Sequence, residues 1–133
     1  MTPRIAATSA LVLGGILILL GTLGFVTNPM VGRQAFILTD SIQDITHICL
    51  GLMLIISGFT GESTATFGLY MVGFLSACYG AMGLYQLGSF TIGYLGDTGM
   101  QLSSINCWFH IALAAVLVVC GKMNTSSKQL FRE

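Results

Sequence analysis

The sequence predicts an all-α integral membrane protein, a four-helix bundle made of two similar helical hairpins in parallel repeat. Three observations carry that expectation. Of 133 residues, 54% are apolar and 8% charged, against about 25% charged in a soluble domain. No charge occurs between Arg4 and Arg33, between Glu62 and Asp97, or between Asp97 and Lys122, and about 20 such residues cross a bilayer core. The chain also repeats itself, with H-I-C-L-G-L-M-L-I-I-S-G from His47 answered by H-I-A-L-A-A-V-L-V-V-C-G from His110.

Residues 1–133 read as a single transmembrane domain with helices at about 5–26, 41–59, 66–87 and 104–121. The first follows Arg4. Its apolar run exceeds a signal-peptide h-region of about 7–15 residues and no A-x-A site follows, so it reads as a retained helix. Asn28-Pro29 takes the chain out of it, because proline has no amide proton for the ladder. The second is the shortest uncharged stretch, between Asp44 and Glu62, and its polar start belongs at headgroup depth. Ser41-Ile42-Gln43-Asp44 resembles a capping box with Asp in place of Glu, and Ser103 or Ser104 can cap the fourth helix. T-G-E-S-T-A is a short inner connection; the outer ones, around 27–40 and 88–103, are longer.

The positive-inside rule places both termini in the cytoplasm: Arg4, Lys122, Lys128 and Arg132 are then inside, and Arg33 outside. Trp108, Tyr85 and Tyr94 suit the outer headgroup layer as anchors. Tyr70 and Tyr79 lie within the third helix, where their hydroxyls need partners. The four cysteines fall in the spans with no C-x-x-C pair, as reduced packing residues; a Cys49–Cys107 disulfide stays open. A formal charge of zero gives no electrostatic footprint for nucleic acid or an anionic surface.

In the alignment of His47 with His110, Gly58 and Gly121 coincide, and Gly14, Gly21 and Gly24 share their spacing with Gly73, Gly80 and Gly83. Small residues let helices approach closely in lipid, so Ala7, Ala10, Gly14 and Gly21 mark one packing side and Gly73, Ala77, Gly80 and Gly83 another. Hairpins entering from one side make a parallel repeat about an axis along the membrane normal. His47 and His110 then share one layer, about 9 Å into their helices at 1.5 Å per residue.

Ionisable residues in spans are candidate functional groups, and His47 and His110 are the candidates here. One account is structural, a hydrogen-bonded pair tying the second helix to the fourth. The other is axial ligation of a tetrapyrrole, a haem between both imidazoles or a chlorophyll on one. Asp44 and Asn106 share a face with their histidines; Asp44 either caps its helix or orients an imidazole nitrogen. Gly51 and Ala114, one turn deeper, leave room for a neighbouring helix or a flat ring. Two histidines and a carboxylate are too few for a zinc or copper site unless a partner supplies more ligands. No nucleophile is paired with an evident base, and the mid-span residues lack the polar or broken helix of a transporter.

The stretches D-I-T-H-I-C-L-G and N-C-W-F-H-I-A-L-A resemble motifs of a family of small bacterial four-helix membrane proteins known as a domain of unknown function, N-x-x-H-x-x-x-G in the second span and N-W-x-H in the fourth. Asp44 stands where asparagine is usual there, and Cys107 displaces Asn106 by one place. The resemblance covers nearly the whole chain and implies the four-span topology and the pairing of His47 with His110, without an activity.

The expectation is a protein with no catalytic residues and no enzymatic activity, an accessory or structural subunit surrounded by lipid and other integral membrane subunits of a larger, energy-transducing assembly, photosynthetic or respiratory. The alternative is a haem- or chlorophyll-binding membrane protein.

Overall fold

A computed structural model describes residues 4–32, 37–88 and 104–130, with side chains at 4–32, 39–85 and 106–123. Arg33, Tyr94, Ser103, Arg132 and most of the 88–103 connection lie outside the described residues, as does the side chain of Lys128. Four helices, α1 (Ile5–Gly24), α2 (Ser41–Thr60), α3 (Glu62–Gly88) and α4 (Ser104–Leu130), pack against one another as an all-α bundle. Each is long and apolar enough to cross a membrane. Between α1 and α2, β1 (Val31–Gly32) pairs in parallel with β2 (Ile37–Leu38), a two-residue feature with no signal in the sequence.

Helix α1 ends at Gly24, just short of the expected boundary, and Asn28 organises the turn beyond it. Its side-chain amide donates to the carbonyls of Leu23, Val26 and Val31 at 2.7–2.9 Å, and its Oδ1 accepts from the amides of Met30 and Val31. Asn28 therefore does more than Pro29 to close the helix.

The N-cap of α2 is Asp40, whose carboxylate accepts from the Gln43 amide at 2.9 Å. This corrects the capping expectation for Ser41 and Asp44: the cap lies one residue earlier. The inner connection also shrinks to Gly61, with α3 starting at Glu62 rather than near 66. Gly61 adopts φ +143°, a region that residues with a Cβ rarely enter, so one residue suffices to reverse the chain. Glu62 then reaches across, accepting from the Ala6 and Ala7 amides at 2.7 and 3.1 Å. Those are orphan donors of the first turn of α1, for which Arg4 provides no side-chain cap.

Each hairpin is closed by an antiparallel seam at seven-residue spacing in which small residues, glycines above all, meet the backbone of the facing helix. Ala7, Gly14 and Gly21 of α1 meet Gly58, Gly51 and Asp44 of α2. A Cβ placed on Gly14 would fall 2.7 Å from the Gly51 carbonyl oxygen, and one on Gly51 would fall 2.6 Å from that of Gly14. The pattern recurs in the second hairpin: Gly21 meets the Asp44 carbonyl and Ile48, while Gly80 meets the Cys107 carbonyl and Ile111. Contact between hairpins is sparser, and α2 and α4, across the diagonal, have no close backbone approach. The shared apolar core runs through Ala6, Ala10, Leu17, Leu54, Leu69, Val72 and Leu117. Helix α1 begins and α4 ends at the same end, that of Glu62; the histidines lie toward the other.

Candidate functional site: a buried polar layer at the histidine end

At six residues into α2 and α4, His47 and His110 are only 3% and 4% exposed. Their ring centroids lie 5.3 Å apart with planes 15° from parallel. The sequence places both side chains on the inward stripe: Gln43, His47, Gly51 and Leu54 are buried on α2, and Asn106, His110, Ala114 and Leu117 are buried on α4. Spacings of three and four residues keep each set on one face. The imidazoles thus bridge the diagonal that the backbones leave open.

The link between α2 and α4 is not a histidine–histidine hydrogen bond. It runs from the Asn106 amide to Gln43 Oε1, at 2.9 Å. Gln43 Nε2 in turn donates to the Tyr79 hydroxyl, drawing α3 into the layer. Tyr79 lies over His110 with centroids 4.4 Å apart, and Phe109 meets both imidazoles edge-on. Both nitrogens of His47, Nδ1 of His110 and the Ser76 hydroxyl are buried without a hydrogen-bond partner among the described residues. A buried polar atom left unsatisfied costs about 1–3 kcal/mol, so several such atoms in one place make the layer energetically expensive.

These groups share a cavity of about 230 Å³. His47, His110, Ser76 and Tyr79 form its inner wall; Leu50 and Leu75 form lips, with Thr46 beside them. Thr46 and Leu75 are exposed on the outside of the bundle, so the opening is lateral, between α2 and α3.

Of the other residues singled out by sequence, Asn106 belongs to the layer and Asp44 does not. The Asp44 carboxylate lies against Gly24 of α1, beside a second cavity of about 250 Å³ that includes Asn28 and Val31. Since neither nitrogen of His47 has a partner, Asp44 is not the group that orients it. Gly51 accommodates α1 rather than a ring, and the Ala114 backbone faces Gly73 of α3. Tyr70 packs against Gly121. Trp108 and Tyr85 are exposed, at 60% and 70%, as interfacial anchors would be. All four cysteines are free. Among the described residues no three His, Cys, Asp or Glu side chains cluster closely enough to hold a metal ion.

Sequence reasoning missed Gln43 and Ser76, and marked Tyr79 only as a hydroxyl in need of a partner, which Gln43 supplies. Gln43 had a legible signal: it precedes His47 by four residues, as Asn106 precedes His110. Ser76 gave none beyond being a polar residue in an apolar helix. Comparison of the chain with protein-family models, with curated proteins and with solved structures finds no match.

Proposed function

We propose that this chain is a non-catalytic, multi-pass membrane protein that serves as an accessory or structural subunit of a larger, energy-transducing membrane assembly, with both termini in the cytoplasm. The observation that carries this reading is the contrast between sealed hairpins and an open seam between them. Small residues close α1 on α2 and α3 on α4. The α2–α3 seam, where Gly68 meets Ser57, carries above that contact at the Glu62 end an apolar groove of about 300 Å³ flanked by Met53, Ile56, Phe67 and Met71, with Ile56 and Phe67 64% and 65% exposed. A groove with protruding large residues suits a neighbouring transmembrane helix, which packs by shape in lipid. Kinship with the small four-helix family that its histidine motifs resemble, and descent of the hairpins from one ancestor, belong to the same proposal.

Extraction in a mild detergent followed by native sizing tests it. Co-migration with other membrane polypeptides, lost on Phe67→Ala or Ile56→Ala, is the expected result. A monomer or small homo-oligomer free of other chains refutes it.

A second reading, tetrapyrrole ligation by His47 and His110, draws on the facing imidazoles and their unpartnered nitrogens. The surrounding space argues against it: about 230 Å³ falls below the roughly 300–1,000 Å³ of pockets for drug-sized ligands. A macrocycle between the rings would have to part the Gln43 bridges to α3 and α4. An absorption spectrum decides the matter: a Soret or pigment band lost on His47→Ala or His110→Ala would establish this reading.

A further inference from the structure

We propose that the lateral cavity at the histidine end binds the head group of a lipid-borne quinone or quinol, which enters from the bilayer between α2 and α3 and leaves its apolar tail in the lipid.

The first support is a difference between the hairpins at the cavity itself. They correspond at several packing positions: positions 63 residues apart in α2 and α4 pair Gln43 with Asn106, His47 with His110 and Leu54 with Leu117, and positions 59 apart in α1 and α3 pair Gly14 with Gly73 and Gly21 with Gly80. By the same offsets Thr46 stands where α4 has Phe109, Ser76 where α1 has Leu17, and Tyr79 where α1 has Leu20. On the α1–α4 side, Phe109 packs its ring against His47 and Leu17 is fully buried. On the α2–α3 side the smaller threonine and serine leave space against His110, and that space is the cavity. The void thus comes from two smaller residues, Thr46 and Ser76, within a repeated packing scheme, and all three of the differing residues carry a hydroxyl.

Size and chemistry then narrow the occupant. An apolar cavity of about 150 Å³ accepts benzene, so about 230 Å³ accepts a six-membered ring with small substituents, but no macrocycle. A neutral imidazole offers one N–H and one bare nitrogen, and among the described residues His47 uses neither; the buried Ser76 hydroxyl is likewise unpartnered there. An imidazole N–H and a serine O–H suit the carbonyl oxygens of a quinone, while the bare nitrogen accepts from a quinol hydroxyl. The lips are leucines and the mouth faces the lipid zone of the bundle, which calls for a ligand delivered by the bilayer.

The inference goes beyond the subunit reading and does not depend on it, since native sizing decides one and a ligand titration the other. The chain has two histidines, so ring-¹⁵N labelling reports each imidazole separately. Full-length protein in phosphatidylcholine nanodiscs is titrated with decylubiquinone, and with decylcyclohexane as the oxygen-free control. The expected result is a saturable shift of the His47 ring nitrogens with decylubiquinone alone. Thr46→Phe, which installs the side chain tolerated at the matching place in α4, should abolish it. Ser76→Ala removes only a hydroxyl and should weaken binding about threefold to tenfold. No saturable shift in the wild-type protein, an equal shift with decylcyclohexane, or undiminished binding in a folded Thr46→Phe protein would each overturn the proposal. So would saturable haemin binding with a Soret band where the quinone is inert.

Discussion

Replacing Gly51 by alanine adds a single methyl group at the crossing of α1 and α2, and its consequence can be worked out from the local distances. The new Cβ would lie 2.6 Å from the Gly14 carbonyl oxygen, 2.8 Å from Ile18 Cγ1 and 3.0 Å from the Ile18 amide nitrogen. Ordinary contacts begin near 3.4 Å. The isoleucine tip can rotate, but the two backbone atoms move only with their helix. The seam must therefore open by somewhat under 1 Å, and a gap of about 0.5–1 Å forfeits a quarter to a half of each dispersion contact across it. Overpacking of this kind costs about 1–3 kcal/mol, offset by up to about 1 kcal/mol from the better helix propensity of alanine. A net loss of about 1–2 kcal/mol is expected. Gly15→Ala is the control: nothing lies within 4 Å of its Cβ, so only the propensity gain applies and stability should hold or rise slightly. Unfolding in dodecylmaltoside–SDS mixed micelles, followed through the single tryptophan, compares them. Equal stability of the two variants would refute the close approach of α1 and α2.

Gly61→Ala, with open space around its Cβ but φ +143°, should lose about 1–3 kcal/mol from backbone strain alone, read in the same micelle assay. Glu62→Ala should expose the Ala6 and Ala7 amides to faster hydrogen exchange and cost about 0.5–2 kcal/mol, as for a lost N-cap, while exchange in the middle of α4 stays unchanged. Asn106→Leu should destabilise by about 1–3 kcal/mol because it strips Gln43 Oε1 of a buried donor. In a double-mutant cycle, Gln43→Leu with Asn106→Leu should cost less than the two single changes added together.

Much of the bundle was legible because an apolar chain follows a simple grammar: long uncharged runs become helices, and glycines at seven-residue spacing become contact seams. The level shared by His47 and His110 followed from repetition alone. What stayed hidden depends on contacts between distant parts of the chain. Glu62 capping α1 joins residues more than fifty positions apart, and nothing near Ala6 announces it. Asp44 looked like a partner for His47 because both lie on one face. The close fit of Gly24 and Gly21 against it draws it toward α1 instead, and the polar link to α4 comes from Gln43 through Asn106. Gly51 was open to two readings from its spacing, and only the path of α1 decides that a helix fills the place. The cavity was illegible for a related reason: it exists because Thr46 and Ser76 are small relative to residues on another pair of helices.

The single-residue hinge at Gly61 joins two hairpins that each close on their own small residues. On the membrane reading proposed above, each can enter the bilayer as a finished unit during synthesis, before the other exists, leaving their docking as a separate, later event. On this view severing the chain at Gly61 and supplying the halves as two polypeptides should still reconstitute the bundle. The cost would fall on α1, whose first turn depends on a carboxylate carried by the other half.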